Sequence, residues 1–346
     1  MQEVEFTLRT LTPLFLAGAD QTKAELRAPT FRGLMRYWER ALVGGMAGTS
    51  SKGLEKVMEV ETEVFGATDK GSAVAVKVSE ASNSPKEFTE QISVRVGGRW
   101  QATGKGYFLW SMARSGREDR GNFKPARWFF PPGTGFKVTL STRGQDTVKL
   151  KQAVAAFWLL TQLGAVGSRS RRCAGSLAVQ SVEGNGAKAV LEDFPFSMPA
   201  NAQTLKQQIE QGIKNARSLY NLAQQPIRDA QFDVLARGAC RIWILQDEQP
   251  WPSAEVAMQK LGERLQDYRH DIPIQQRRIF GLPLPPIIFN KRRASPLLLR
   301  VVELQGNKYV GIAVLFKTAG NDVFMQDYKL IENWANGFRG KLEVML

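Results

Sequence analysis

The sequence predicts an α+β protein in which one order of elements, strand–helix–strand–strand–helix–strand, occurs twice. Three observations carry that expectation. Short alternations mark half-buried strands, the first being Val4, Phe6 and Leu8 against Glu5, Thr7 and Arg9. Runs with apolar residues three and four apart mark helices between the strands. The 346 residues suit about two domains at roughly 150 residues each.

The elements follow in order. After the first strand, Leu14–Leu26 reads as a loop. Thr30 is a fitting N-cap, and Phe31, Leu34, Met35, Trp38 and Leu42 follow at helical spacing until Gly44-Gly45 stops the helix. A second helix over Lys52–Phe65 ends at Gly66, and Ala73–Val78 is a strand. Residues from about 80 to 132 have no clear period and are rich in Gly, Ser, Arg and aromatics, so they form an insertion. Phe136–Leu140 is a strand, and Leu150, Ala153, Val154, Phe157 and Thr161 share one face of a helix that ends at Gly164. A glycine- and arginine-rich loop and a strand, Leu177–Val182, complete the first set. This is the ferredoxin-like order shared by RNA-recognition modules.

A bridging helix carries Leu205, Ile209, Ile213, Ala216 and Tyr220. A long strand, Phe232–Leu245, opens the second set, and Ser253 caps a helix with Met258, Leu261, Leu265 and Tyr268. Leu297–Leu304 and Tyr309–Phe316 form a hairpin across Gln305-Gly306-Asn307-Lys308. A short helix near Gln326–Trp334 and a strand at Lys341–Leu346 close the chain's second set. The expected organisation is two ferredoxin-like (RRM-like) βαββαβ folds with insertions. Residues 1–190 form the first, with its insertion at about 80–132; residues 191–230 bridge; residues 231–346 form the second, with a Pro/Arg-rich insertion at about 271–296.

Lysine and arginine total 47 against 33 acidic residues, a net charge of +14, which favours a polyanionic partner. No run of 18 apolar residues exists; the best stretch, Ala153–Leu160, is interrupted by Thr161 and Gln162. No membrane partner is expected, and the acidic, alternating start of the chain points to the cytoplasm. Two distant cysteines, Cys173 and Cys240, and one histidine, His270, exclude the usual zinc sites, so no cofactor or metal is expected. His270 lies in Asp267-Tyr268-Arg269-His270-Asp271 and reads as a solvated histidine at a helix end.

The strongest local signal is the loop from Gly164 to Ser176. Its core is Gly167, Ser168, Arg169, Ser170, Arg171 and Arg172. Glycines let a backbone approach a ligand, and guanidinium forks grip phosphate oxygens. The bland alternative is a helix cap followed by a solvated basic turn. A second candidate is the stripe Arg32, Arg36 and Arg40 on the first helix, opposite Phe31, Leu34 and Trp38, with Glu39 offsetting part of its charge. The insertion interleaves Arg99, Trp100, Lys105, Tyr107, Trp110, Arg114, Arg117, Arg120, Phe123, Lys124, Arg127 and Trp128, a pattern suited to stacking single-stranded RNA. There Trp128, Phe129 and Phe130 fit a core equally well. Arg277-Arg278 and Lys291-Arg292-Arg293 are further basic clusters. Glu59 and Glu63 read as a solvated helix face, and Asp20 is the one carboxylate placed for chemistry.

Several motifs occur together. Leu11-Thr-Pro-Leu14, Gly18-Ala-Asp20, Ala24-Glu25-Leu26-Arg27-Ala28-Pro29 and Phe31-Arg32-Gly33-Leu34-Met35-Arg36-Tyr37-Trp38 resemble the start of a RAMP-superfamily protein. Specifically, they resemble the first-named RAMP subunit of the Cmr (type III-B CRISPR) effector complex. Glu63-Val-Phe65-Gly66, Gly167-Ser-Arg-Ser-Arg-Arg172 with Gly175-Ser176, and Arg293-Ala-Ser-Pro-Leu297 extend the likeness to about Val302. Cys173-Ala174 departs from it, standing where such loops have a glycine and then a bulkier residue.

The resemblance implies a non-catalytic place near the 3′ end of a guide RNA, beside another RAMP subunit, helping to hold guide and target RNA. Arg32, Arg36, the loop from Gly167 to Arg172, and Lys291, Arg292 and Arg293 are then the expected RNA contacts. In related complexes an aspartate of the backbone RAMP subunit cuts target RNA, which makes an endoribonuclease using Asp20 the alternative. A guide-processing ribonuclease is a third reading. It would want a histidine or tyrosine at the scissile phosphate, and His270 is far from the loop in sequence.

Overall fold

The computed structural model describes residues 2–20, 22–116, 121, 123–142, 146–223, 227, 229–281, 294–319 and 327–346. The first half contains β1 (Glu3–Thr10), α1 (Ala28–Ala47), α2 (Ser51–Phe65) and β2 (Val74–Val78). The stretch before Pro131 adds β3 (Lys86–Glu87), β4 (Ser93–Val96), β5 (Arg99–Ala102), α3 (Gly104–Leu109) and β6 (Trp128–Phe129). Then come β7 (Gly135–Thr142), α4 (Thr147–Leu163), β8 (Leu177–Glu183), α5 (Ala187–Leu191) and α6 (Ala202–Ser218). The second half contains β9 (Cys240–Leu245), α7 (Ala254–Asp271), β10 (Leu297–Leu304), β11 (Lys308–Phe316), α8 (Lys329–Asn336) and β12 (Leu342–Val344).

The chain is mixed α+β with antiparallel sheets, as expected. Two four-stranded sheets dominate, in the orders β2-β7-β1-β8 and β10-β11-β9-β12. Val4, Phe6 and Leu8 point from β1 into the core, where Phe6 meets Phe157 and Phe196 with ring centroids 4.5 and 5.1 Å apart. The Gln305–Lys308 link is a tight hairpin turn in which Gly306 and Asn307 have φ of 74° and 54°, the geometry that suits the right-handed strand twist.

Three expectations fail for long-range reasons. Gly44-Gly45 does not stop α1, which runs on to Ala47. A Cβ at Gly44 would sit 2.7 Å from the Phe232 ring, and one at Gly45 2.3 Å from the Leu235 carbonyl oxygen. The glycines therefore let the 232–235 segment lie directly on the helix, and the Leu235 amide donates to the Ala41 carbonyl at 2.8 Å. For the same reason the long strand from Phe232 shrinks to Cys240–Leu245: its first part packs against α1 instead of joining a sheet. Thr30 is not the N-cap either. The helix starts at Ala28 with Pro29 in its first turn, where a missing N–H costs nothing.

The aperiodic insertion owes its silence to very short elements. Its Phe88, Phe108, Leu109, Met112 and Phe129 join a second core with Trp243, Leu261 and Leu265, so a piece of the first half packs on α7 of the second. Phe129 and Phe130 are core, whereas Trp128 is exposed. The halves are also tied through Arg300 of β10. Its buried guanidinium donates to the carbonyls of Thr161 and, at 2.8 Å, Leu177. Among the described residues no helix is long and apolar enough to cross a membrane, and no three His, Cys, Asp or Glu side chains are grouped to hold a metal.

Candidate nucleic-acid interface

The loop after α4 is a docked structure and not a free basic turn. Gly167 has φ 87°, and a Cβ there would lie 2.3 Å from the Phe15 carbonyl oxygen, to which the Ser168 amide donates at 2.7 Å. Arg169 and Cys173 both adopt left-handed backbone, at φ 61° and 65°, around one 3-10 turn over Ser170–Arg172. Cys173 thus takes the conformation a glycine adopts freely. Its amide donates to the Leu299 carbonyl at 2.9 Å, pinning the turn to β10.

The three loop arginines have separate fates. Arg172 is buried and donates to the carbonyls of Phe280 at 2.8 Å, Arg171 at 3.0 Å and Leu297 at 3.1 Å. Burial, then the neighbouring Arg169 charge, push its pKa down to about 9, which still leaves it charged at neutral pH. Arg171 donates to the Ser295 carbonyl at 2.6 Å and to Asp233 at 3.2 Å. Arg169 spends its Nε on the Phe108 carbonyl at 2.6 Å. Among the described residues its two terminal nitrogens have no hydrogen-bond partner. Arg172 and Arg171 therefore stitch β8's approach to the segments around Phe280 and Ser295.

These side chains surround a pocket of about 340 Å³. Its lining brings together Arg169, Arg171, Arg172 and Arg269 with Tyr107 and Trp110. Among the described residues, no carboxylate lines it. Arg269 donates to the Tyr107 hydroxyl and lies over the Tyr107 and Phe280 rings, its carbon 5.9 and 5.8 Å from their centroids. Four guanidiniums, of which Arg171 alone is paired with an acid among the described residues, beside exposed or half-exposed rings make an anion- and base-binding surface.

The α1 stripe is elsewhere and is partly engaged within the fold. Arg32 donates to the Phe65 carbonyl at the end of α2, and Arg36 to Glu61. Arg40 pairs with the same buried Glu61 at 2.5 Å. Arg32 and Arg36, expected as RNA contacts, thus also hold α2 against α1, while the side chain of Arg36 stays 31% exposed. Glu39 is not their counter-ion. It is buried on the apolar side of α1, accepts a bond from the Tyr220 hydroxyl at 3.0 Å, and burial raises its pKa to about 8. Glu63 is not simply solvated, since it pairs with Lys149.

Asp20 is exposed and accepts bonds from the Thr22 amide at 2.9 Å and hydroxyl at 2.5 Å. The hydroxyl bond, then the amide bond, hold its pKa below the usual carboxylate range. His270 is solvent-exposed at the end of α7, beside Asp271. Lys291, Arg292 and Arg293 lie outside the described residues, as do Arg117 and Arg120. The sequence reading missed Arg269 as a site residue. Its signal was present: it follows Leu261 and Leu265 at steps of four, which puts an arginine on the apolar stripe of α7.

Comparison with known proteins bears on this surface. The RAMP superfamily profile matches residues 7–178. The CRISPR system Cmr subunit Cmr1-1 of Pyrococcus furiosus is 30% identical over 329 residues, which covers 91% of this chain and 87% of that protein. The Cmr1-2 subunit of the same organism is 33% identical over 186 residues, covering 52% of this chain and 96% of its own length. The crystal structure of Cmr1 from P. furiosus in its apo form superposes with a TM-score of 0.65 at 23% identity, over 99% of both chains. A chain of the type III-B Cmr-beta complex bound to cognate target RNA and AMPPnP, in the presence of ssDNA, superposes with a TM-score of 0.60 at 13% identity, over 97% of this chain and 99% of that one. At these identities the two solved structures speak for the fold alone.

Proposed function

The chain belongs to the Cmr1 family of RAMP-superfamily CRISPR subunits, and on that premise we propose that it holds RNA in a type III-B Cmr ribonucleoprotein without cutting it. The observation that carries the proposal is the pocket where Arg169, Arg171, Arg172 and Arg269 meet Tyr107 and Trp110 with no carboxylate among the described lining residues. A chain of net charge +14 attracts RNA over its whole surface, and this pocket is where the attraction becomes a contact. Gly167 and Ser168 anchor the loop on the Phe15 carbonyl, Ser170 lines the pocket, Arg169 and Arg171 reach the ligand, and Arg172 ties the loop to Phe280 and Leu297. The RNA partners in this reading are guide RNA near its 3′ end and target RNA, and the protein partners are other RAMP subunits. Support comes from the relative named as a Cmr subunit and from the fold shared with a complex bound to cognate target RNA. Lys291, Arg292 and Arg293 remain proposed contacts on sequence grounds. Such a complex acts in the cytoplasm.

The same reading makes each half a ferredoxin-like unit, since both sheets repeat one order with the first and third strands of each set in the centre. The units are residues 1–190 and 231–346, bridged by 191–230. Among the described residues, nothing near Asp20 favours the endoribonuclease alternative. Its carboxylate caps a local turn at Thr22 and is held ionised, with Lys23 at 3.7 Å as its nearest charge. A proton shuttle for RNA cleavage would want a nearby partner titrating close to neutrality.

Ultraviolet cross-linking of single-stranded RNA to the full chain, followed by peptide mapping, tests the proposal. Cross-links are expected at Tyr107, Trp110 and the 167–172 loop. Cross-links confined to α1 and α2 would overturn it.

A further inference from the structure

The shape of this pocket points to a narrower ligand than a passing strand. We propose that it receives one extruded nucleotide of single-stranded RNA, its phosphate among Arg169, Arg171 and Arg269 and its base against the ring of Trp110. The inference rests on the RNA-binding reading above and adds a subsite to it.

Size is the first argument. The pocket's 340 Å³ exceeds ten water volumes of ~30 Å³ each, far more than a bare phosphate fills, and sits at the low end of the roughly 300–1,000 Å³ typical of small-molecule sites. The second argument is closure. Phe280 and Arg172 are buried side chains in the lining, so the pocket has an inner wall against which one residue of a strand can turn in. The third is polarity. The guanidiniums gather on the loop and α7 side, while Trp110, 46% exposed, offers an unpaired aromatic face at the α3 side. A large ring left in water beside cations suits a base, because every base has a face to stack and none need be read by its edge. The Arg269–Tyr107 bond fixes the cation between the two ends.

The larger groove of about 1000 Å³ between the halves lacks these features. Its two cations are already engaged, Arg9 with Glu303 and Lys105 with both Glu90 and Glu255. An anion entering there would have to displace carboxylates.

The test displaces a fluorescent single-stranded RNA from the full-length chain with adenosine monophosphate, ribose 5-phosphate or inorganic phosphate. Adenosine monophosphate is expected to compete about tenfold better than ribose 5-phosphate, because the base contributes stacking. Trp110→Ala should erase that difference, and Trp110→Phe, which keeps a ring, should preserve most of it. Arg269→Gln should weaken all three competitors. If the labelled RNA binds but all three compete equally with the wild-type chain, the nucleotide subsite is overturned while RNA binding survives. If Trp110→Ala leaves the advantage of adenosine monophosphate intact, the base sits elsewhere and the proposal fails. If the labelled RNA does not bind at all, the underlying RNA-binding reading fails with it.

Discussion

Arg32, Arg36 and Arg40 on α1, and Arg169, Arg171 and Arg172 after α4, are two sets of three clustered arginines that meet different surroundings. The first set faces Glu61 and the last carbonyl of α2, so part of its charge is spent inside the fold. The second faces a pocket without a carboxylate among its described lining residues, and the one acid it touches among the described residues, Asp233, also accepts from the Tyr37 hydroxyl at 2.7 Å. Even within the loop the roles divide. Arg172 is structural, Arg171 is shared, and Arg169 keeps donors for a ligand. A cluster of cations becomes a binding surface only where the fold leaves its counter-charge to be supplied from outside.

The comparison can be broken at several points. The largest expected effect is on stability. Arg172→Ala takes the guanidinium from the Phe280 carbonyl and leaves the Leu297 carbonyl with only the Ser295 hydroxyl in a buried setting, and should cost about 3 kcal/mol in chemical denaturation. Arg169→Ala removes a single bond, to the Phe108 carbonyl, from a half-buried position and should cost about 1 kcal/mol. Equal losses would remove the distinction between stitch and site.

Glu39 supplies a sharper point about the stripe. Its folded pKa of about 8 lies above its ordinary value of 4.5, so the native state keeps a proton that the unfolded chain releases. Stability should therefore fall as pH rises from about 5 to 8, by roughly 1–3 kcal/mol, and level off above. Glu39→Gln should flatten that slope. If the slope is absent in the wild type, Glu39 is ionised and belongs with the arginines after all.

A smaller effect is expected at Glu61, whose partners Arg36 and Arg40 are partly solvated, with side chains 31% and 49% exposed. Glu61→Gln should cost about 1 kcal/mol. It should also raise RNA affinity about two- to threefold by freeing charge on the stripe. Unchanged affinity would show that the stripe cannot reach RNA even when released.

What the sequence disclosed and what it hid follow from range. Alternation exposed β1, spacing exposed α4 and α7, Ser253 caps α7 as expected, and Gly306-Asn307 marks the hairpin, because each signal is local. The Gly44-Gly45 reading failed because the reason for those glycines is Phe232 and Leu235, nearly two hundred residues away. The loop was recognisable as a site candidate, but the partners that divide its arginines, Phe280, Ser295 and Phe108, come from elsewhere in the chain. Glu39 was legible and overlooked: it lies four residues from Met35 and three from Leu42, on the buried face.

The most direct measurement compares two double variants that lose the same charge. Single-stranded RNA binding by the full chain would be titrated against salt for Arg169→Gln/Arg269→Gln and for Arg36→Gln/Arg40→Gln. The pocket pair should lose about ten- to a hundredfold in affinity and flatten the log–log salt slope by about 1.4, at ~0.7 per phosphate contact. The stripe pair should stay within about threefold of wild type with its slope unchanged. Equal losses from the two pairs would mean that RNA responds to the overall field alone and that the pocket is not a site.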